Sequence, residues 1–204
     1  MTIRLKRGDL PDLRRYQGPV AIDTETMGLD HHRDRLCVVQ LSPGDGSADV
    51  VQIPCGGAEA PHLKALLADP GVLKIFHFAR FDLGILQQTF GIMPGPVYCT
   101  KIASRLARTY TDKHGLKDLT RDLLGIEVSK QQQSSDWGAE ELTDAQVAYA
   151  ASDVLHLHKL REKLDQMLVR ESRQDLAAAC FRFLPDRVRL DLAGWAAEDI
   201  FAHS

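Results

Sequence analysis

The sequence predicts an α/β fold, in which a mixed five-stranded sheet is flanked by helices. The first observation is a series of three short runs rich in β-branched residues, at 20–24, 36–41 and 49–53, which is typical of a strand meander. The second is a change of period after residue 60, where apolar strands at 72–76 and 97–99 alternate with helical segments. Strands that are first antiparallel and then alternate with helices indicate a mixed sheet covered by helices.

Each element has a local signal in the sequence. Pro43-Gly44-Asp45-Gly46 supplies turn chemistry between the second and third strands. The helical segments carry apolar residues on one stripe, and they are predicted at 61–67, 81–90, 102–107 and 116–124. Thr143 is predicted to be the N-cap of a long helix, because apolar residues keep helical spacing from there to about residue 169.

The length of the chain predicts a single domain over residues 1–204, with a C-terminal helical tail over about 171–204. A chain of 204 residues, 44% of them hydrophobic, can bury one substantial core and is short for two. The tail is unusually apolar. Core packing and a subunit interface are both open explanations for Phe181, Phe183, Leu184, Leu190, Leu192, Trp195, Ile200 and Phe201.

Charge and cysteine content exclude several classes of protein. Lys and Arg number 25 against 28 Asp and Glu, a net charge of −3, so the chain has no global basic field for holding long duplexes. The N-terminus lacks the apolar core of a signal peptide, and no run of about 18 apolar residues predicts a membrane span. The four cysteines form no Cys-x-x-Cys pair, which favours buried reduced thiols in a cytoplasmic protein.

Two carboxylates converge at the end of the first predicted strand. Asp23 and Glu25 share one face of that strand and Thr24 points to the other, because side chains alternate along a strand. A solvated strand terminus is the commoner explanation of such a pair. Here, however, Val20, Ala21 and Ile22 mark a buried strand, and two buried carboxylates repel each other unless a cation neutralises them.

Three further candidates come from helices. Asp82 follows a buried strand at the start of a helix, where an acid of the first turn is also favoured by the helix dipole. Tyr149 and Asp153 are four residues apart on the long helix and therefore face the same way. They are either an ordinary amphipathic pair or part of a site, and the small residues around them allow a close approach to the sheet.

These residues, taken in order, resemble a known family. Asp23-Thr24-Glu25-Thr26, His77-x4-Asp82 and Tyr149-x3-Asp153 look like the three exonuclease motifs of the DEDD superfamily, in the tyrosine-bearing branch typified by ribonuclease D. Lys130 with Ser135-Asp136-Trp137 is also similar to the ribonuclease D pattern. Other phrases resemble nano-RNase C, the short branch of that family, over nearly the whole chain: 32–40, 110–117, 130–137 and 200–204.

The resemblance implies a ribonuclease H-like, DnaQ-like exonuclease fold and two-metal phosphodiester chemistry. Two Mg²⁺ or Mn²⁺ ions would stabilise the attacking and leaving oxygens, and oxygen ligands suit these ions rather than zinc. By resemblance Asp23 bridges both ions, and Glu25, Asp82 and Asp153 complete the ligand set. Glu25 would also meet the terminal 3′ hydroxyl, and Tyr149 would orient the attacking water.

Substrate-binding residues are expected around these motifs. Thr26 is part of the first motif, and Leu29 matches the position of an apolar wedge against the terminal bases, although a core leucine fits as well. His77 is either a motif residue beside the site or a core histidine bonded to backbone. Lys113 and His114 precede a predicted helix N-terminus, which favours a phosphate site, while a solvated basic turn is the alternative.

Two departures from ribonuclease D narrow the expected function. Ala139-Glu140-Glu141-Leu142 stands where that family usually has Arg-Pro-Leu, and about fifty residues after Asp153 leave no room for its helical nucleic-acid-binding domains. These departures disfavour processive handling of folded tRNA precursors. The resemblance to nano-RNase C implies a 3′-to-5′ exoribonuclease that acts on dinucleotides and assembles into a ring-like homo-oligomer. The alternatives are a general exonuclease on RNA or DNA tails, including tRNA trimming, and an inactive fold that binds RNA. The residues His31-His32 are expected at the surface.

Overall fold

The computed structural model describes residues 2–128 and 131–203, so Lys130 of the predicted motif lies outside the described residues. The strands are β1 (Thr2–Arg7), β2 (Val20–Thr26), β3 (Leu36–Ser42), β4 (Ser47–Gln52), β5 (Lys74–Phe76) and β6 (Val97–Cys99). The helices are α1 (Pro61–Ala68), α2 (Ala79–Phe90), α3 (Thr100–Ala107), α4 (Leu116–Leu124), α5 (Asp144–Leu155), α6 (Leu157–Arg170) and α7 (Gln174–Leu190). These elements confirm the predicted α/β class.

The sheet has six strands, so the predicted number of five is wrong. Its order is β1-β4-β3-β2-β5-β6, with β2, β3 and β4 antiparallel and the other pairs parallel. The additional strand, β1, lies at the edge and pairs with β4 from Thr2 to Arg7. Its residues are exposed or half-buried, and charged residues interrupt its two apolar ones, Ile3 and Leu5. This segment therefore lacks the apolar run that marks the interior strands.

Two apolar clusters cover the two faces of the sheet. Along β2, Ile22 belongs to the cluster formed with α1, α2 and α7, whereas Ala21 belongs to the cluster formed with α3, α5 and α6. The side chains of β2 alternate in this way because successive residues of a strand point to opposite faces. Asp23 and Glu25 therefore face α5, and Thr24 faces α2.

The long C-terminal helix of the prediction is divided. Thr143 is the N-cap, as predicted, and it forms a capping box with Gln146. The helix then ends at Leu155, and α6 begins at Leu157 after a distorted residue, His156, with φ −108° and ψ −6°. The apolar spacing continues across His156 and the sequence has no proline or glycine there, so the break has no signal in the pattern.

Core packing explains part of the apolar tail, and a subunit interface stays a prediction for the rest. Leu184 and Val188 of α7 are buried in the core beside α2. After α7 the chain makes one π-helical turn, Asp191–Trp195. Of the eight apolar tail residues named from the sequence, four stay exposed: Phe183, Trp195, Ile200 and Phe201.

Two general expectations can be compared with the described residues. All four cysteines are free thiols, and the prediction of buried thiols is confirmed for Cys37 and Cys99. Cys180 is half-buried and Cys55 is exposed, so the prediction is wrong for Cys55. Cys55 follows the end of β4 in a surface turn, where the backbone bends at Gly57. Within residues 2–128 and 131–203 we find no helix with the length and apolar character needed to cross a membrane.

Candidate active site

Three carboxylates meet where β2 passes under α5. Asp23 and Glu25 project from the same face of β2, and Asp153 projects from α5, whose small residues Ala150 and Ala151 are fully buried against the sheet. One carboxylate oxygen of each of the three acids lies within 4.8 Å of those of the other two. The sequence prediction placed these three acids together, and the structure does so.

Asp82 reaches the same region from the opposite face of β2. It lies in the first turn of α2, is 3% exposed, and accepts a hydrogen bond of 2.7 Å from Thr24 Oγ1. Thr24 points away from Asp23 and Glu25, as the alternation predicts, and it thereby fixes the fourth acid. Asp82 is not one of the three acids whose oxygens converge within 4.8 Å, but its charge acts on Asp23.

The four acids of the site lie buried or half-buried close to one another, and this raises their pKa values. Burial and the charges of Asp82, Asp153 and Glu25 raise the pKa of Asp23 well above its usual value. Burial and the charges of Asp153 and Asp82 raise the pKa of Glu25 to about 9, and burial raises the pKa of Asp82 and of Asp153 to about 7. Each acid is thus held in an environment that penalises its ionised form. A divalent cation bound between them would remove that penalty.

Two neighbours orient the carboxylates. The Tyr149 hydroxyl acts on Asp153, one helical turn away, and partly opposes the burial that raises the pKa of Asp153, while burial raises the pKa of Tyr149. Gln40 of β3 lies directly opposite Asp23 in the sheet, and its Nε2 donates to Asp23 Oδ2 at 3.4 Å. Sequence reasoning missed Gln40, although a fully buried glutamine within the apolar run of β3 is a signal that could have found it.

The carboxylates form the floor of a cleft of about 700 Å³. Leu29 stands at its edge with 83% of its surface exposed, so the alternative of a core leucine is excluded. The chain reaches this exposed position through Gly28, where a Cβ atom would collide with the Asp34 carboxylate. Thr26 also lines the cleft, and its hydroxyl donates to Gly28 O at 2.5 Å.

His77 lines the cleft beside the acids, as the motif predicts. Its Nδ1 lies 2.9 Å from Thr100 Oγ1, so its partner is a side chain rather than backbone. Burial, with a smaller contribution from Lys101, lowers the pKa of His77 to about 3. The ring is therefore neutral across the physiological range, and it offers a polar edge without adding charge.

The cations of the cleft differ from those that the sequence indicated. Lys113 and His114 do not line it: Lys113 O accepts a bond from Arg108, and His114 Nδ1 lies 2.8 Å from Ser104 Oγ. The lysines that do line it are Lys101 of α3 and Lys117 of α4. Both lie within helices, and the apolar pattern of a helix does not indicate which of its polar residues will face a cleft. The phosphate contact of Lys113 and His114 stays a prediction.

Two loops close the edges of the cleft. His31 was expected at the surface, but its Nε2 lies 2.9 Å from Phe81 O and its ring packs into the space above Gly84 of α2. That expectation is wrong for His31 and correct for His32, which is exposed. The polar loop before Trp137 contributes Gln133, Ser134 and Ser135 to the lining. Asp136 caps a turn by accepting from Gly138 N at 3.0 Å.

Known proteins that carry a 3′-5′ exonuclease domain are similar to this chain over most of its length. A family model described as a 3′-5′ exonuclease matches residues 10–169. The ribonuclease D of Gluconacetobacter diazotrophicus is 38% identical over 167 residues, which are 82% of this chain and 42% of that protein. The chain thus spans less than half the length of this curated relative.

Solved structures match the full chain. Brucella melitensis NrnC with bound Mg²⁺ is 61% identical, covers 100% of both chains and superposes with a TM-score of 0.96. The same protein bound to pGG is 62% identical over 100% of both chains, with a TM-score of 0.97. Escherichia coli RNase D, at 26% identity, covers 86% of this chain and 46% of its own, with a TM-score of 0.76. These matches confirm the DnaQ-like fold, and the chain belongs to the 3′-5′ exonuclease family, with relatives in ribonuclease D and NrnC.

Proposed function

We propose that this protein is a metal-dependent 3′-to-5′ exoribonuclease that hydrolyses very short RNA, preferentially dinucleotides, to mononucleotides. The observation that carries the proposal is the convergence of Asp23, Glu25 and Asp153 within 4.8 Å at the floor of the cleft. A fold that only binds RNA gains nothing from buried acids that repel one another. Their arrangement is useful when a cation and a phosphodiester occupy the cleft together.

The residues present fit two divalent cations. All of the candidate ligands are carboxylate oxygens, which favours Mg²⁺ or Mn²⁺ over zinc. Asp23, Glu25 and Asp153 would hold one ion, and Asp23 with Asp82 would hold the other. When bound, the ions would supply charge stabilisation for the attacking and leaving oxygens of the displacement. The raised pKa values of the acids support this assignment, because a cation restores the ionised forms that burial disfavours.

The side chains of the protein would orient the reactants. Tyr149 lines the cleft together with Asp153, one helical turn away, and its hydroxyl would hold the attacking water. Glu25 would accept a hydrogen bond from the terminal 3′ hydroxyl of the RNA, since its carboxylate faces the cleft near Thr26. Leu29 would pack against the terminal bases with its exposed side chain. The scissile phosphate would then lie above the carboxylate floor.

A short substrate is supported by the dimensions and charge of the cleft. Its volume of about 700 Å³ lies in the range of sites that enclose a small ligand. Gly115, Leu116 and Lys117, at the start of α4, line the cleft, and free backbone N–H groups at a helix N-terminus attract phosphate. If the 5′ phosphate of a dinucleotide is held there, the site leaves no room for a third nucleotide. The pGG complex of the NrnC structure is consistent with this substrate class.

The test is a time course on end-labelled RNAs of two to about seven nucleotides with Mg²⁺ present. We expect kcat/KM to be highest for the dinucleotide, and a 5′-phosphorylated dinucleotide to bind more tightly by about 1 to 3 kcal/mol, from charge-assisted contacts. Asp23→Asn is the matched inactive control, because it removes one charge with little change of volume. We expect that variant to lose roughly a thousandfold or more in rate.

The other hypotheses give different outcomes in the same assay. A general exonuclease, including one that trims tRNA, would give comparable kcat/KM for two and seven nucleotides without an effect of the 5′ phosphate. An RNA-binding module without activity would hydrolyse none of the RNAs. Either result would contradict the proposed preference, and only the second would also contradict the proposed activity.

We also propose that the protein forms a homo-oligomer, ring-like by its resemblance to nano-RNase C, in the cytoplasm. Trp195, Ile200 and Phe201 expose large apolar side chains, and a second copy of the chain would cover them. Four free thiols are in keeping with a reducing compartment. Light scattering tests the assembly: a mass near 22.7 kDa at micromolar concentration would contradict it, and Phe201→Asp should shift an oligomer toward smaller species.

A further inference from the structure

A strained phenylalanine stands at the edge of the cleft. Phe78 immediately precedes α2 and has φ 68° and ψ 42°, in the left-handed region of the backbone. For a bulky residue this conformation is a clear outlier, whereas glycine adopts it freely. The position is a helix start without a side-chain cap, so the fold itself needs only the bend. The side chain must therefore have another use.

Burial does not explain the side chain. Phe78 is 45% exposed, and it does not belong to either of the apolar clusters formed by the described residues. An exposed ring in a strained backbone conformation contributes little to folding. The apolar residues nearest in sequence behave differently, since Phe76, two residues before, and Ala79, the next residue, are fully buried.

The ring lies on a ridge between two cavities. Phe78 lines the cleft above the carboxylates and also a second cavity of about 540 Å³ on the other side, and Leu29 and Phe81 are the other residues shared by both. Leu29 and Phe78 thus both expose apolar side chains along the part of a charged cleft that borders the second cavity. Such surfaces bind the flat faces of nucleobases, because every base has an apolar π-face.

Lys101 holds the ring in place. Its Nζ lies 4.2 Å from the centroid of the Phe78 ring, a cation–π contact, and Lys101 itself lines the cleft. No carboxylate in the part of the chain that the structure describes forms an ion pair with Lys101. One face of the ring is therefore occupied by a cation that is free to meet a phosphate, while the rest of the ring is open to a ligand.

We infer that Phe78 is a substrate-specificity residue, on whose ring one base of the bound oligonucleotide stacks. The inference rests on the proposed function and adds a base preference to it. Stacking on an aromatic ring strengthens with the area of the base, so purine dinucleotides should bind better than pyrimidine dinucleotides. The preference should come from the ring and not from hydrogen bonds to base edges.

Three substitutions separate the ring from the backbone strain. Phe78→Gly removes the ring and relieves the strain, Phe78→Ala removes the ring and keeps the strain, and Phe78→Tyr keeps the ring. We expect both truncations to raise KM for pApA about tenfold or more, with kcat changed less than about threefold. Phe78→Gly should melt at a higher temperature than Phe78→Ala, which shows that the loss in binding is not a loss of fold.

Controls away from the cleft carry the same chemical changes. Ser172→Gly relieves another left-handed residue, at φ 54°, and Tyr110→Ala removes an exposed ring that also carries a cation, Arg108, at 5.8 Å. Neither residue lines the cleft, so KM should stay at the wild-type value in both. A purine preference in KM, measured as pApA against pUpU, should be present in wild type and in Phe78→Tyr and absent in both truncations.

The outcomes keep the two proposals apart. Wild-type hydrolysis with the same KM in both truncations, or a purine preference that survives them, would overturn the stacking role and leave the exonuclease proposal intact. A rise in KM that follows the melting temperature, larger in Phe78→Ala than in Phe78→Gly, would also overturn it in favour of a structural role. A wild-type protein that hydrolyses no dinucleotide would overturn both proposals.

Discussion

Neutralising one acid of the site should stabilise the metal-free protein while abolishing its activity. Asp23→Asn removes a charge that Asp82, Asp153 and Glu25 all repel. Two unit charges 4.8 Å apart, the limit that bounds Asp23, Glu25 and Asp153, repel by about 3.5 kcal/mol at an effective dielectric constant of about 20. The wild-type site relieves part of this by binding protons, so we expect a net gain of about 1 to 3 kcal/mol for the variant at pH 8.

Thermal denaturation in EDTA and in Mg²⁺ measures this effect. For a chain of this size each kcal/mol moves the melting temperature by about 2 to 4 °C, so Asp23→Asn should melt about 2 to 12 °C above wild type in EDTA. Added Mg²⁺ should raise the melting temperature of wild type more than that of the variant, because the variant has lost a ligand. Turnover of the dinucleotide should fall in the variant by roughly a thousandfold.

Asp49→Asn is the matched control. Asp49 is also a buried aspartate in the sheet, at 3% exposure, but it is compensated by Arg15 at 2.9 Å and by the Tyr16 hydroxyl at 2.6 Å. The same chemical change there removes the carboxylate that Arg15 and Arg4 share, although Arg15 keeps Asp45, and should lower the melting temperature. If Asp23→Asn in EDTA lost stability as Asp49→Asn does, the reasoning from stored charge would be refuted.

Two further predictions concern the same site, and a third concerns the contact between α2 and His31. Because the pKa of Asp82 and of Asp153 is raised to about 7, the metal-free fold binds protons more firmly than the unfolded chain, so its melting temperature should fall from pH 5 to 8 and Mg²⁺ should reduce that fall. Tyr149→Phe should slow turnover less than loss of a carboxylate, since it removes a hydroxyl and no charge; an equal loss would contradict its role. Gly84→Ala would place Cβ 2.7 Å from His31 Nε2, so it should lower the melting temperature, and adding His31→Ala should restore it.

The order of the motifs in the sequence predicted most of the residues of the site. The resemblance to the exonuclease motifs predicts that Asp23, Glu25, Tyr149 and Asp153 meet in one site. Period-2 and period-3.6 geometry predict only that Asp23 shares a face with Glu25 and that Tyr149 shares one with Asp153. The same rule placed Thr24 on the other face, although only the structure shows that it holds Asp82 there. Alternation predicts in which direction a side chain of one strand points. Its partner on another element can be identified only from the packing of the two elements.

Features that depend on packing were not predicted from the sequence. Strand β1 is stabilised by pairing with β4 rather than by an apolar run of its own. Lys101 and Lys117 face the cleft because of how α3 and α4 dock, and no local pattern separates them from solvated lysines. The strain at Phe78 is equally invisible, since a left-handed phenylalanine is read from dihedral angles alone.

The sparse positive charge of the cleft leads to a last prediction, on salt dependence. Of the described residues that line the cleft, two are lysines, Lys101 and Lys117, in a chain of net charge −3. Each neutralised phosphate of a single strand contributes about −0.7 to the slope of log affinity against log salt, so two lysines allow a slope no steeper than about −1.4. We therefore expect log kcat/KM for a heptanucleotide, measured against NaCl at fixed Mg²⁺, to follow that shallow slope. An enzyme that tracks a long backbone must neutralise several phosphates at once, and a slope of about −3 or steeper would show such a groove and contradict a closed site for short RNA.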